Sequence, residues 1–170
     1  MTIPVKFITE LDIRIHPHPP EGVERNRCFQ LRSPLITLYH DNELVQTPAA
    51  FWSDGGSIPW WLWSLLRLHP LDPHCARAFF SHDFNFAVGF KQQRLVCDQY
   101  LYYGMLYDGA THMQARMVYM GVRLGSWRAW NNYRRKSTLQ LQKNIHSLKR
   151  CDPMFELTVE NWCRNLDGLS

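Results

Sequence analysis

The sequence predicts an α+β domain in which a small N-terminal antiparallel sheet packs on a bundle of four to five helices. Three observations lead there. The first fifty residues break into short apolar runs separated by proline-rich or polar turns, notably HPHPPEG and HDNE. From Pro59 onward the apolar spacing lengthens to that of a helix. Gly89, Gly109 and Gly125 then fall where helices would stop.

The expected strands are Val5–Phe7, Leu11–Ile15, Cys28–Leu31, Leu35–Tyr39 and Leu44–Gln46. Asp41 and Asn42 both tolerate positive φ and suit a hairpin turn between the last two runs. Pro59 fits the first position of a helix, where no backbone donor is needed. Helices are expected over Trp60–Leu66, Pro73–Ala87, Gln92–Tyr107 and Met113–Leu124, with Leu139–Leu148 as a fifth. Short loops make the second and third antiparallel neighbours. The organisation expected is one domain over 1–135, followed by a helical extension over 136–170.

A chain of 170 residues is long enough to bury a real core. With 45% hydrophobic and 20% charged residues, the composition suggests neither disorder nor a fibrous repeat. The aromatic share of 14% is high and suggests rings at an interface or pocket mouth as well as in the core. No apolar run approaches the ~20 residues of a membrane-spanning helix, and the opening lacks signal-peptide architecture, so a cytosolic product is expected. Five cysteines, an odd number without a CxxC pair, read as free thiols. The net charge of +4 is mild but gathers in the second half, at Arg116, Arg123, Arg128, Arg134 and Arg135 among others. It reads first as a solvated helix face, while such a gradient could also meet the anionic lipid of a membrane surface, an acidic protein or nucleic acid, the last the least expected.

Chemistry concentrates in the middle of the chain. On the expected second helix Phe79, Asp83 and Phe86 share helical spacing, and His82 sits at the edge of that stripe. Asp98 falls in line with Leu101 and Met105, where a core residue belongs. A buried carboxylate must find a cation, a donor or a metal. His82 on the neighbouring helix is the expected partner. A carboxylate that holds one imidazole nitrogen leaves the other to act as a base, although a purely structural pair is the competing reading.

Just upstream lies Ser53-Asp54-Gly55-Gly56-Ser57-Ile58-Pro59, a turn joining sheet to helix. Gly55 and Gly56 let the backbone take conformations closed to other residues and let a ligand approach it. Amides at the following helix start favour an anion. Asp54 and Asp83, with loop carbonyls, offer oxygen ligands to calcium, with zinc the lesser candidate. Ser57 reads as a helix cap, with a nucleophile paired to His82 as its alternative. The candidate set is therefore His82 and Asp98 as catalytic residues, Asp83 and Asp54 for metal, and Gly55, Gly56 and Ser57 for ligand. Trp60, Trp61 and Trp63 read as a core plug, with the lining of an acyl or peptide groove as the alternative, and the remaining histidines as surface or loop groups.

The run Phe51 to Pro59, then Leu62-Trp63, Ala78, His82-Asp83, Arg94, Asp98, Met105, Met117-Val118-Tyr119, Val122-Arg123 and Gly125, resembles the domain-of-unknown-function family numbered 1353. The resemblance runs from about Pro48 to Trp130. It carries Ser53 where the family has Thr, and Phe84 or Phe86 where it has Tyr. That family is found in bacteriophages and prophages, so the resemblance implies phage origin without a settled activity. A second, local likeness concerns mechanism: His82-Asp83 on one helix and Asp98 on an antiparallel one, after a glycine loop, are similar to phospholipase A(2). That likeness implies His82 as the base activating water, Asp83 as a calcium ligand, Asp98 as the orienter, and Gly55 and Gly56 in a calcium loop. The disulfide network of the secreted enzymes is absent, and the spacing from loop to His82 differs.

The function expected is a phage-encoded hydrolase with a metal-assisted His-Asp site, acting on ester or amide bonds of the host envelope, in lipid or peptidoglycan. The alternative is a non-enzymatic virion or assembly protein, or an inhibitor of host defence. Expected partners are accordingly an envelope component or neighbouring virion proteins, and the expected location is the host cytoplasm on synthesis, then the virion. An enzyme requires His82 beside a concave pocket; a structural protein requires a sealed pair and an apolar patch elsewhere.

Overall fold

Alternation of buried and exposed positions defines the first sheet of the computed structural model, which describes residues 4–21, 23, 26–40, 42–56, 64–69, 71–89, 91 and 93–135. Strands β1 (Val5–Phe7), β4 (Leu35–Tyr39) and β5 (Leu44–Thr47) pair antiparallel in the order β1-β4-β5. Val5, Phe7, Leu35, Thr37, Tyr39, Val45 and Thr47 turn inward, the period of two that a half-buried strand requires. The turn joining β4 to β5 holds Asn42 at φ 58, the conformation read from its sequence. The register aligns Leu35 with Thr47 and Thr37 with Val45.

The strands form two sheets where the sequence suggested one. A second, made of β2 (Ile13–Ile15), β3 (Phe29–Leu31) and β6 (Trp52–Ser53), has the order β2-β3-β6. Strand β6 is only two residues long and too short to show alternation in the sequence. Its pairing is extended by backbone bonds from Leu31 to Phe51 and from Ala50 to Leu31. This strand delivers the glycine turn at residues 54–56 to the helices.

Among the described residues the main helices are α1 (Ala76–Val88), α2 (Arg94–Tyr107), α3 (His112–Gly125) and α4 (Trp127–Arg135). Residues 64–66 are also helical. Helix α1 starts later than Pro73 because the Asp72 carboxylate binds both the backbone N–H and the ring Nδ1 of His74, holding a local turn. Gly89 ends it in the left-handed conformation, as expected. A capping box of Thr111 and Gln114 opens α3. Gly125 does not stop the helical path: Ser126 N–H still bonds Val122 C=O, and Trp130 N–H bonds Ser126 C=O. The chain therefore continues into α4, a helix that was not anticipated. The expected Leu139–Leu148 helix, the 136–170 extension and the tryptophan plug at 60, 61 and 63 lie outside the described residues.

Helices α1 and α2 pack closely, α2 packs on α3, and α1 also meets both sheets and α4. Phe79, Phe80, Leu31, Leu35, Leu101 and Met105 are among the fully buried side chains. Each such side chain contributes roughly 1.5–3 kcal/mol by leaving water. The architecture is α+β. Among the described residues, no helix is long and apolar enough to cross a membrane.

Candidate functional site

Helix α1 separates two environments by its periodicity. Ser81 and Asn85, one turn apart, face the first sheet. There Ser81 Oγ lies 2.9 Å from Tyr39 Oη and 3.3 Å from Thr37 Oγ1, while Asn85 Nδ2 donates to Tyr39 Oη at 2.6 Å. Phe79, His82, Asp83 and Phe86 instead line a cleft of about 260 Å³ between the glycine turn, α1 and the α3–α4 segment.

His82 anchors the charged side. Its Nε2 is 2.9 Å from Asp98 Oδ1, and its Nδ1 lies 4.0 Å from Asp83 Oδ1. The second contact is a charge interaction, longer than a hydrogen bond. Asp98 is wholly buried in line with Leu101 and Met105, as its spacing suggested. Its other oxygen accepts from Arg123 Nη1 at 2.8 Å and faces Arg94 Nε at 3.5 Å. Arg94 in turn donates to the Arg123 carbonyl at 2.5 Å, which closes a cluster joining α1, α2 and α3. Burial opposes a charge on His82, but the Asp83 and Asp98 carboxylates outweigh it and raise the imidazole above its usual pKa.

The glycine turn is built onto the same helix. Ser53 Oγ donates to Asp83 Oδ2 at 2.5 Å and itself accepts from Gly55 N–H at 3.0 Å. Asp54 Oδ1 accepts from Gly56 N–H at 3.1 Å. Gly55 and Gly56 have φ of 74° and 109°, and a Cβ on Gly56 would meet the Phe79 ring at 2.9 Å. Positive φ and close approach together account for the glycine pair.

His82, Asp83, Asp54 and Gly56 thus meet at one cleft, with Asp98 bound behind His82; Ser57 lies outside the described residues. The sequence placed Ser53, Arg94 and Arg123 in the family-like pattern, and Arg123 on a solvated face, without bringing any of them to the site. The clue to Arg94 was present, since it precedes Asp98 by four residues on a helix. Arg27, which donates to the Trp52 carbonyl at 2.9 Å and to the Tyr133 hydroxyl, lines the cleft from outside the helices and left no local signal.

The donor chemistry bears on a metal. Calcium takes six to eight oxygens, and Asp54 and Asp83 bring two carboxylates to the cleft. Both already accept hydrogen bonds from the protein. Among the described residues, no three His, Cys, Asp or Glu side chains gather as a metal set.

No curated protein and no solved structure matches the chain. A family model described as protein of unknown function, DUF1353, matches residues 29–122, from β3 through most of α3. That span covers more than half of the sequence and contains Asp54, Gly55, Gly56, His82, Asp83 and Asp98, so the chain belongs to the DUF1353 family.

Proposed function

We propose that this protein is a hydrolase of ester or amide bonds in which His82 transfers the proton and Asp98 orients it. The observation behind this reading is an imidazole held at Nε2 by a buried carboxylate while the same residue lines a cleft. With Nε2–H donated to Asp98, Nδ1 carries the lone pair and takes a proton from water on the side where Asp83 stands. Asp83, fixed by Ser53, stabilises the imidazolium so formed. The raised pKa sets the sign of the pH dependence: the base form is absent at low pH, so turnover rises through a pKa above 6.5.

A phage-encoded enzyme acting on the host envelope is the setting this reading favours, since size, charge and cleft suit a small dedicated hydrolase. The test is hydrolysis of p-nitrophenyl acyl esters, glycerophospholipid vesicles and peptidoglycan sacculi by the purified chain between pH 5 and 9. Activity with an acidic limb above 6.5 supports the proposal, and no turnover on any of the three counts against it. Calcium on Asp83 and Asp54 forms a separate arm: calorimetric binding lost in Asp83→Asn would add a Lewis acid to the same cleft.

One observation favours a second reading, a virion or assembly protein. His82 is only 6% exposed, and Asp98 is held by three basic side chains, which also describes a clamp between helices.

A further inference from the structure

Helix α3 is apolar on two sides. Ala115 and Val118 face the core and are fully buried. On the opposite side Met113, Met120, Leu124 and Trp127 follow one another at intervals of seven, four and three residues, which keeps them on one helical face. They are 67%, 52%, 78% and 50% exposed, so the line runs outward over about 21 Å at 1.5 Å per residue. Arg116 and Arg128 are exposed on the same segment, and the Arg128 guanidinium lies 5.6 Å over the Trp127 ring. No Asp or Glu occurs anywhere from Gly109 to Cys151.

We propose that the outer face of α3 and the start of α4 docks on an anionic lipid surface. Charge complementarity selects this occupant. A second copy of the chain would bring Arg116 and Arg128 against their own counterparts with no acidic residue on the segment to offset them. Nucleic acid would satisfy the arginines but leave Met113, Met120 and Leu124 against phosphate and water. A bilayer of anionic lipid offers an apolar phase and negative charge in one plane, which is what an apolar line flanked by arginines requires. The indole of Trp127 suits the level of the headgroups. This inference does not rest on the hydrolase reading.

The test is flotation of the full chain with vesicles of phosphatidylcholine containing phosphatidylglycerol, against vesicles of phosphatidylcholine alone. Leu124→Glu and Met120→Glu place charges at exposed positions, and circular dichroism checks that they fold. The proposal predicts flotation with anionic vesicles that falls with added salt, at least tenfold weaker flotation of both variants, and an intermediate loss for a variant carrying Arg116→Gln and Arg128→Gln. Failure to float with anionic vesicles, or equal flotation of Leu124→Glu, overturns it. So does self-association of the wild type in sedimentation that Leu124→Glu abolishes, which would assign the face to a protein partner.

Discussion

Asp98, within helix α2, and Asp108, just past its end, both bury their carboxylates and both pair with arginine, but they differ in what else they touch. Asp108 is gripped by Arg77, whose Nη2 donates at 2.5 Å and Nε at 3.1 Å, with Glu10 standing 3.4 Å from the Arg77 Nη1. The hydrogen bonds and ion pairs there run only between carboxylates and a guanidinium, and the His74 imidazole acts on Asp108 at longer range through charge alone. Asp98 shares its two oxygens between Arg123, Arg94 and the imidazole of His82. The difference between the two places is an imidazole that lines a cleft and meets a buried carboxylate, a group the Arg77–Asp108 pair lacks among its hydrogen-bond partners.

Removing the carboxylates should break this comparison most strongly. Asp98→Ala leaves Arg123, Arg94 and the buried His82 without their common anion, and a cost of roughly 3–5 kcal/mol is expected in urea unfolding. Asp108→Ala removes the anion of one guanidinium, Arg77, instead of three basic groups, so a smaller loss of about 1–3 kcal/mol is expected from the same measurement. Equal losses would mean that the Asp98 cluster has no reach beyond one ion pair. On the sheet side of α1, Tyr39→Phe removes the hydroxyl that accepts from Asn85 and meets Ser81, with a loss of about 1–2 kcal/mol. That change should leave any hydrolysis intact.

The smallest effect is the most specific. Because the folded state raises the His82 pKa, the stabilisation it gives is fully present below its unfolded value near 6.5 and is lost as pH rises through the folded value. Thermal unfolding compared across pH 6 to 9 should show this loss in the wild type and not in His82→Gln.

The sequence made the cleft legible where chemistry broke a pattern. Asp98 interrupted an apolar line and Gly55-Gly56 broke a strand-to-helix junction, and both lie in the cluster or beside it. What stayed hidden was long-range. Arg123 comes from a helix whose own periodicity gives no reason to aim it at Asp98, and Arg27 reaches the cleft from the loop before β3. The two-residue β6 carries no alternation at all, so the second sheet was invisible until its partner strand β3 was in place. Helix α4 was missed because a glycine was read as a stop, whereas Gly125 has no positive φ and the backbone bonds run on through Ser126.

The central claim is that His82 acts on a ligand in the cleft instead of fastening two helices, and one variant tests it most directly. For His82→Gln, stability in urea and hydrolysis of the active substrate should be measured side by side. The account predicts a folded protein that loses far less stability than Asp98→Ala, with turnover reduced on the order of 10²–10⁴-fold. A variant as unstable as Asp98→Ala, or one that keeps its turnover, would contradict it.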